Sequence, residues 1–216
     1  MIKIRNLSKR YRKQTVLDRV CLDIPSGSIF ALLGPNGSGK TTLLKSILGL
    51  VHPEPASEIW VAGRPVIGGT DYKKRIGYLP QFPKFPAHLK VSELIALFEK
   101  LRQSEGVHKE PLRRVMQVDG FWNKAFGELS GGMAQKVNIL QCFMFEQALY
   151  ILDEPTSGLD PQAAFSLKQW IREKKSKGAT IVFTSHVMSE VDELADGRAL
   201  MIDGRLDETL YASIQE

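Results

Sequence analysis

Only two of the 216 residues are cysteine, Cys21 and Cys142, and neither has a second Cys or a His at metal-ligand spacing. That sets aside a disulfide or zinc scaffold and leaves both thiols to be read as small apolar fillers. Long apolar runs are missing as well. The longest stretch free of Asp, Glu, Lys and Arg is 16 residues, Ile24 to Gly39, broken by Pro25, Pro35 and several glycines. No segment here is fit to cross a bilayer as a helix. The opening Met1-Ile2-Lys3-Ile4-Arg5 alternates apolar and basic residues and has no apolar centre of a secretion signal, so the protein is expected to stay where it is made, in the cytosol. Internal repeats, low-complexity tracts and Gly/Ser linkers are also absent. With 43% apolar and 25% charged residues, the chain reads as one globular domain carrying an inserted subdomain. Acidic residues are scarce at one end: the first twenty positions hold Lys3, Arg5, Lys9, Arg10, Arg12, Lys13 and Arg19 against Asp18 alone, a local +6 in a chain of +5. Two readings stay open, a surface for polyanions or anionic headgroups, and the solvated face of an edge hairpin whose cations discourage aggregation.

What is present has an order. Ile2 and Ile4, then Val20, Leu22 and Ile24, alternate as strands do, so an antiparallel β region comes first. Ser28 to Leu33 is a continuous apolar run ending in glycines, and Leu43, Leu44, Ile47 and Leu48 follow at helical spacing. Ala148 to Leu152 and Thr180 to Phe183 are further runs of the length of buried parallel strands, each followed by a helical pattern. One such helix opens after Asp160 with Pro161 at its first position and carries Phe165, Leu167, Trp170 and Ile171. Between Gln81 and Glu146 the strand signal vanishes; Leu94, Ile95, Leu97, Phe98 and Leu101, then Met133, Val137, Leu140 and Met144, recur at helical spacing. The expectation is an α/β core of residues 1–81 and 147–216 with a parallel sheet, and a helical subdomain inserted at 82–146. Met201 to Leu206 reads as a hairpin before a last short helix.

Gly34-Pro35-Asn36-Gly37-Ser38-Gly39-Lys40-Thr41 has the spacing of a phosphate-binding loop. Its glycines let backbone N–H groups converge on phosphate oxygens, and the helix beyond adds the partial charge of its N-terminus. Lys40 suits the β- and γ-phosphates and the Thr41 hydroxyl suits Mg²⁺. Asp153 and Glu154 end a second apolar run. A carboxylate at the end of a buried parallel strand lies near such a loop, so Asp153 is placed to hold Mg²⁺ through water and Glu154 to polarise an attacking water. Neighbouring strand residues face opposite ways, which would give the two acids separate tasks. Ser130-Gly131-Gly132 opens another helix with a second anion-binding N-terminus, one more than a single γ-phosphate needs.

From Tyr11 to about Gly204, with its motifs in family order, the sequence resembles the nucleotide-binding domain of ATP-binding cassette (ABC) transporters, whose Leu-Ser-Gly-Gly-Gln signature is answered here by Leu129-Ser130-Gly131-Gly132-Met133. The resemblance implies the ABC ATPase fold: a P-loop NTPase core with parallel sheet, an N-terminal antiparallel β subdomain and an inserted α-helical subdomain. It implies that Tyr11 stacks on adenine, that Gly34 to Thr42 (Pro35, Asn36, Gly37, Ser38, Gly39, Lys40 and Thr41 between them) grip the phosphates of ATP, and that Gln81 touches Mg²⁺ and links core to insert. Ser130, Gly131 and Gly132 would reach the nucleotide on a second copy, Ser157 to Asp160 would cross the interface, and His186 would touch the γ-phosphate. Met133 where the family favours glutamine, and Lys136 where arginine is common, are departures; the Met is weakly reminiscent of exporters of the ABC-2 kind.

The implied protein is an ATPase working as a homodimer with composite sites, peripheral at the cytoplasmic face of the inner membrane and driving separate permease subunits. Gln81 to Pro86 holds Phe82 and Phe85 between prolines, either a docking surface for the membrane subunit or a plug for the joint between core and insert. A soluble ABC ATPase acting on nucleic acid or ribosomes is the rival, supported by the basic N-terminal segment and a pI of 9.2; no nucleic-acid partner is expected. A metabolite kinase would leave Ser130-Gly131-Gly132 without a purpose.

Overall fold

The computed structural model describes residues 1–212. Strands β1 (Ile2–Tyr11) and β2 (Gln14–Ile24) form an antiparallel hairpin. Ile2, Ile4 and Leu7 on the first and Leu17, Val20, Leu22 and Ile24 on the second are buried, while Lys3, Arg10 and Arg19 face out. Strand β3 (Ile29–Leu33) then runs into the glycine loop, and α1 (Lys40–Ile47) leaves it. β4 (Glu58–Val61) and β5 (Arg64–Pro65) join the hairpin in the order β2-β1-β4-β5, which makes β2 an edge strand, while Lys3, Arg5, Lys9 and Arg10 of the basic segment sit on the interior strand β1.

After β6 (Ile76–Leu79) come α2 (Val91–Arg102), α3 (Lys109–Val115) and α4 (Gly131–Phe143), and no strand among the described residues until β7 (Leu149–Asp153). The chain continues through α5 (Pro161–Ser176), β8 (Thr180–Ser185), α6 (Met188–Leu194), β9 (Gly197–Ile202) and β10 (Arg205–Ala212). The second sheet has the order β10-β9-β3-β8-β7-β6, parallel except for β10. Its central strands are covered on both faces, which explains runs without alternation. Phe30 and Leu32 of β3 pack toward α1 and the hairpin sheet, whereas Ile29, Ala31 and Leu33 pack toward α5 and the helical region.

Helical spacing does not by itself give the width of a buried face. Phe165 is 61% exposed, and Leu97 and Leu101 of α2 also face solvent. The apolar stripe there is wider than the buried surface. Cys142 is buried, and burial pushes its thiol far up, but Cys21 sits exposed on the edge strand and is no core filler. The short helix expected after Leu206 does not form over residues 207–212, which continue as strand β10 paired with β9; the positions beyond lie outside the described residues.

One seam fixes how α4 seats on the sheet. A Cβ on Gly77 of β6 would come within 2.6 Å of the Tyr150 ring and 2.8 Å of the Cys142 carbonyl oxygen. Gly77→Ala should therefore destabilise by about 1–3 kcal/mol, as overpacked cores do. At roughly 2–4 °C per kcal/mol, circular-dichroism melting resolves that loss, and an unshifted Tm would refute so tight a seam.

Candidate nucleotide-hydrolysis site

The glycine loop is threaded between two other strands. Gly39 lies at φ 107°, where an L side chain is strained, and a Cβ there would stand 2.8 Å from the Val16 carbonyl oxygen of β2. The loop wraps the ammonium of Lys40, which donates to the carbonyls of Gly34 at 2.7 Å and Pro35 at 3.0 Å. Burial pushes the Lys40 pKa down, against the pull of Glu154 and Asp153. The Ser38 hydroxyl is buried with no hydrogen-bond partner among the described residues.

Behind the loop, Asp153 is gripped by two hydroxyls. Thr41 donates to its Oδ2 at 2.8 Å and Thr184 to its Oδ1 at 2.7 Å. The same Thr184 oxygen accepts from the Glu154 backbone N–H at 2.9 Å. Glu154 follows the end of β7 at φ 49°, a left-handed conformation uncommon for a non-glycine residue. That turn, rather than strand alternation alone, separates the two acids. Glu154 is 9% exposed, accepts from Gln81 Nε2 at 2.9 Å, and lies 3.4 Å from His186 Nδ1. Around them is a cleft of about 460 Å³ whose walls include Asn36, Gly37, Lys40, Thr41, Gln81 and Glu154, with Gly39, Thr42 and Phe82 beside them.

This donor set fits a nucleotide with Mg²⁺. An unpartnered buried hydroxyl and a lysine beside converging backbone suit phosphate, and a threonine hydroxyl with one carboxylate is the sparse hard-oxygen set that Mg²⁺ takes alongside phosphate. Among the described residues no cluster of three or more His, Cys, Asp or Glu is arranged for a metal.

Other expected site residues lie apart from that cleft. Tyr11, at the end of β1, is 47% exposed, with the Lys9 ammonium 5.2 Å from its ring centre. Ser130 caps α4, accepting from Met133 N–H at 3.3 Å; it and Gly131 are exposed. Gly132 is close-packed: a Cβ there would stand 3.0 Å from the Gly158 carbonyl oxygen. Met133 is half-buried against the helical core. Asp160 caps α5 through Ala163 N–H and pairs with Lys136 at 2.8 Å, contacts that hold its carboxyl below the usual range.

The family model described as ABC transporter matches residues 17–157. The chain belongs to this family. An AAA-domain model, described as putative AbiEii toxin, Type IV TA system, matches residues 125–192. The Nod factor export ATP-binding protein I of Burkholderia orbicola (strain AU 1054) is 34% identical over 209 residues, 94% of this ABC chain and 68% of the relative. A probable sulfate/thiosulfate import ATP-binding protein of Chlorella vulgaris is 36% identical over 95% of this chain and 89% of its own. Among solved structures, an ATP-binding subunit of an ABC transporter superposes with TM-score 0.88 at 31% identity, covering 95% of this chain and 88% of that one. A dimeric post-hydrolysis ATP-binding cassette bound to ADP and Pi superposes at 0.85 with 23% identity, over 96% and 97%, and shares the fold. ATP binding, ATPase activity and a transport setting are thus common to the family and to this member.

Residue reading overlooked two members of the site. Thr184 hides at the end of an apolar strand. Glu190 of α6 accepts from Thr156 at 2.7 Å and from Ser185 at 3.0 Å, tying the loop after Glu154 to the residue before His186; its only signal was an acid four positions after His186.

The two phenylalanines of the Gln81–Pro86 loop part company. Phe85 packs edge-on against Phe98 and Phe126, at 5.5 and 5.1 Å between ring centres, whereas Phe82 is 73% exposed. Phe85 is half-buried, so Phe85→Ala should cost about 1–3 kcal/mol, below the cost of a fully buried Phe→Ala change. Phe82→Ala should stay within about 0.5 kcal/mol of the parent. Denaturant midpoints check both, and equal costs would contradict the division.

Proposed function

We propose that this chain is the ATP-hydrolysing subunit of an ABC transporter, working as a head-to-tail pair around two MgATP and driving separate membrane subunits. The observation that carries the reading is that Ser130 to Gly132 form no part of the Lys40–Glu154 cleft of their own chain and are presented outward at the tip of α4. A helix end suited to an anion but set apart from the phosphate loop of its own chain is placed to meet a nucleotide held by a second copy. The dimeric cassette with bound ADP and Pi supports it by shared fold.

In this reading Gly34 to Thr42 bind the phosphates, with Lys40 swinging from its own carbonyls to the β- and γ-oxygens. Thr41, Asp153 and Gln81 are the residues that would hold Mg²⁺. Mg²⁺ bound there supplies charge that neutralises the phosphates. Glu154 orients the attacking water and accepts its proton, while His186 meets the γ-phosphate. Tyr11 leaves Lys9 to stack on adenine. Asp160 trades its intrachain contacts for the partner. Residues 82–146 move as an inserted unit on the core of 1–81 and 147–216, and the exposed Phe82 carries that motion to the membrane subunit. The chain then sits at the cytoplasmic face of the inner membrane; no helix among its described residues is long and apolar enough to cross one. Export is favoured by Met133 and by the Nod-factor-export relative. The import-named relative favours the opposite direction.

Glu154→Gln should leave ATP binding within about threefold and trap an ATP-dependent pair visible by light scattering, with hydrolysis reduced at least about 100-fold. Lys40→Ala should instead weaken nucleotide binding at least about tenfold. A Glu154→Gln protein that turns over normally, or stays single in ATP, overturns the reading.

A further inference from the structure

Three amide side chains stand at i, i+3 and i+6 along α4. Gln135 is 3% and Asn138 0% exposed, and Gln141 is half-buried. They form a ladder with every rung tied to backbone. Gln141 Nε2 donates to the Tyr78 carbonyl at 2.8 Å and to Asn138 Oδ1 at 3.3 Å. Asn138 Nδ2 donates to the Pro80 carbonyl at 2.8 Å and to Gln135 Oε1 at 3.2 Å. Gln135 Nε2 donates to the Pro155 carbonyl at 3.1 Å.

The acceptors are the telling part. Pro80 directly precedes Gln81, and Pro155 directly follows Glu154. One helix face therefore grips the chain beside both members of the 2.9 Å Gln81–Glu154 pair. An apolar face would pack here without fixing a register. A chain of linked amide hydrogen bonds, buried at Gln135 and Asn138, has discrete arrangements, and a helix that shifts must carry its carbonyl partners along or leave amides unpaired. At the N-terminus of that helix stand Ser130 to Gly132.

We infer that Gln135, Asn138 and Gln141 are positioning residues that couple the two nucleotide sites. The ladder links the half-site a chain offers to its partner's nucleotide with the Gln81–Glu154 pair that acts on its own. Nucleotide held by Ser130 to Gly132 of one chain thereby sets the aim of Glu154 in that same chain, so the second site becomes competent only once the first is filled. This rests on the composite-site reading above. Coupling of this kind is a free-energy link between sites, and its signature is cooperativity.

The test is steady-state hydrolysis by the full chain against MgATP, at protein concentrations where the Glu154→Gln pair is assembled. The parent should respond sigmoidally, with a Hill coefficient approaching the two sites available. Gln141→Met keeps the shape and loses the donors; Asn138→Asp is near-isosteric and loses its Nδ2 donor. Each should bring the coefficient to about 1 and lower kcat about tenfold, within the usual range of site coupling, while a fluorescent ATP analogue binds within about twofold of the parent. A merely structural role would lower stability and leave the Hill coefficient alone. Gln141 is only half-buried, so its variant decides the matter if Asn138→Asp does not fold. A hyperbolic parent, or folded variants with the parental coefficient, overturns the ladder's role. Failure of Glu154→Gln to trap a pair removes the composite site instead, and the coupling with it; pairs that trap normally with an unmoved coefficient remove the ladder alone.

Discussion

The carboxylate of Asp153 is the point where the sheet, the glycine loop and the turn bearing Glu154 are fastened together. Thr41 arrives from α1, the helix that follows β3, Thr184 from β8, and Asp153 itself ends β7, so one helix and two neighbouring strands of the sheet meet at one acid. Thr184 then passes the constraint on, accepting from the Glu154 N–H and so holding that residue at its positive φ. A buried carboxylate is tolerable only when hydrogen-bonded. Here the donors that satisfy it also align the loop with the acid that must face the same phosphate.

From this fastening the cleft follows. Glu154 is turned toward Gln81 and His186, and the Lys40 ammonium rests on its own loop within the field of both acids. The arrangement is complete toward water and metal but open toward the far side of the γ-phosphate. Among the described residues none closes it in the cleft, while Ser130, Gly131 and Gly132 lie elsewhere. The need for a second copy arises from that separation.

Much of this was legible in the residues. The glycine spacing, the acids after an apolar run and the order of motifs located the cleft, because phosphate binding demands rare residue types at fixed intervals. Continuous runs at Ile29–Leu33 and Thr180–Ser185 disclosed strands buried on both faces. Other features depend on contacts distant in sequence. Thr184 looks like any strand residue until Asp153 is placed beside it. Gln135, Asn138 and Gln141 look like a polar helix face until Tyr78, Pro80 and Pro155 arrive to accept from them. Phe82 and Phe85 share composition and loop, yet only one finds aromatic neighbours. Periodicity also says nothing of how wide a buried stripe is, hence exposed Phe165 and Leu101.

The account stands on the incompleteness of a single subunit, and the most direct measurement is specific ATPase activity against protein concentration, with light scattering recording the association state at each point. Activity per molecule should fall steeply as pairs dissociate, in proportion to the paired fraction. Constant activity per molecule down to concentrations where only single subunits remain would contradict it.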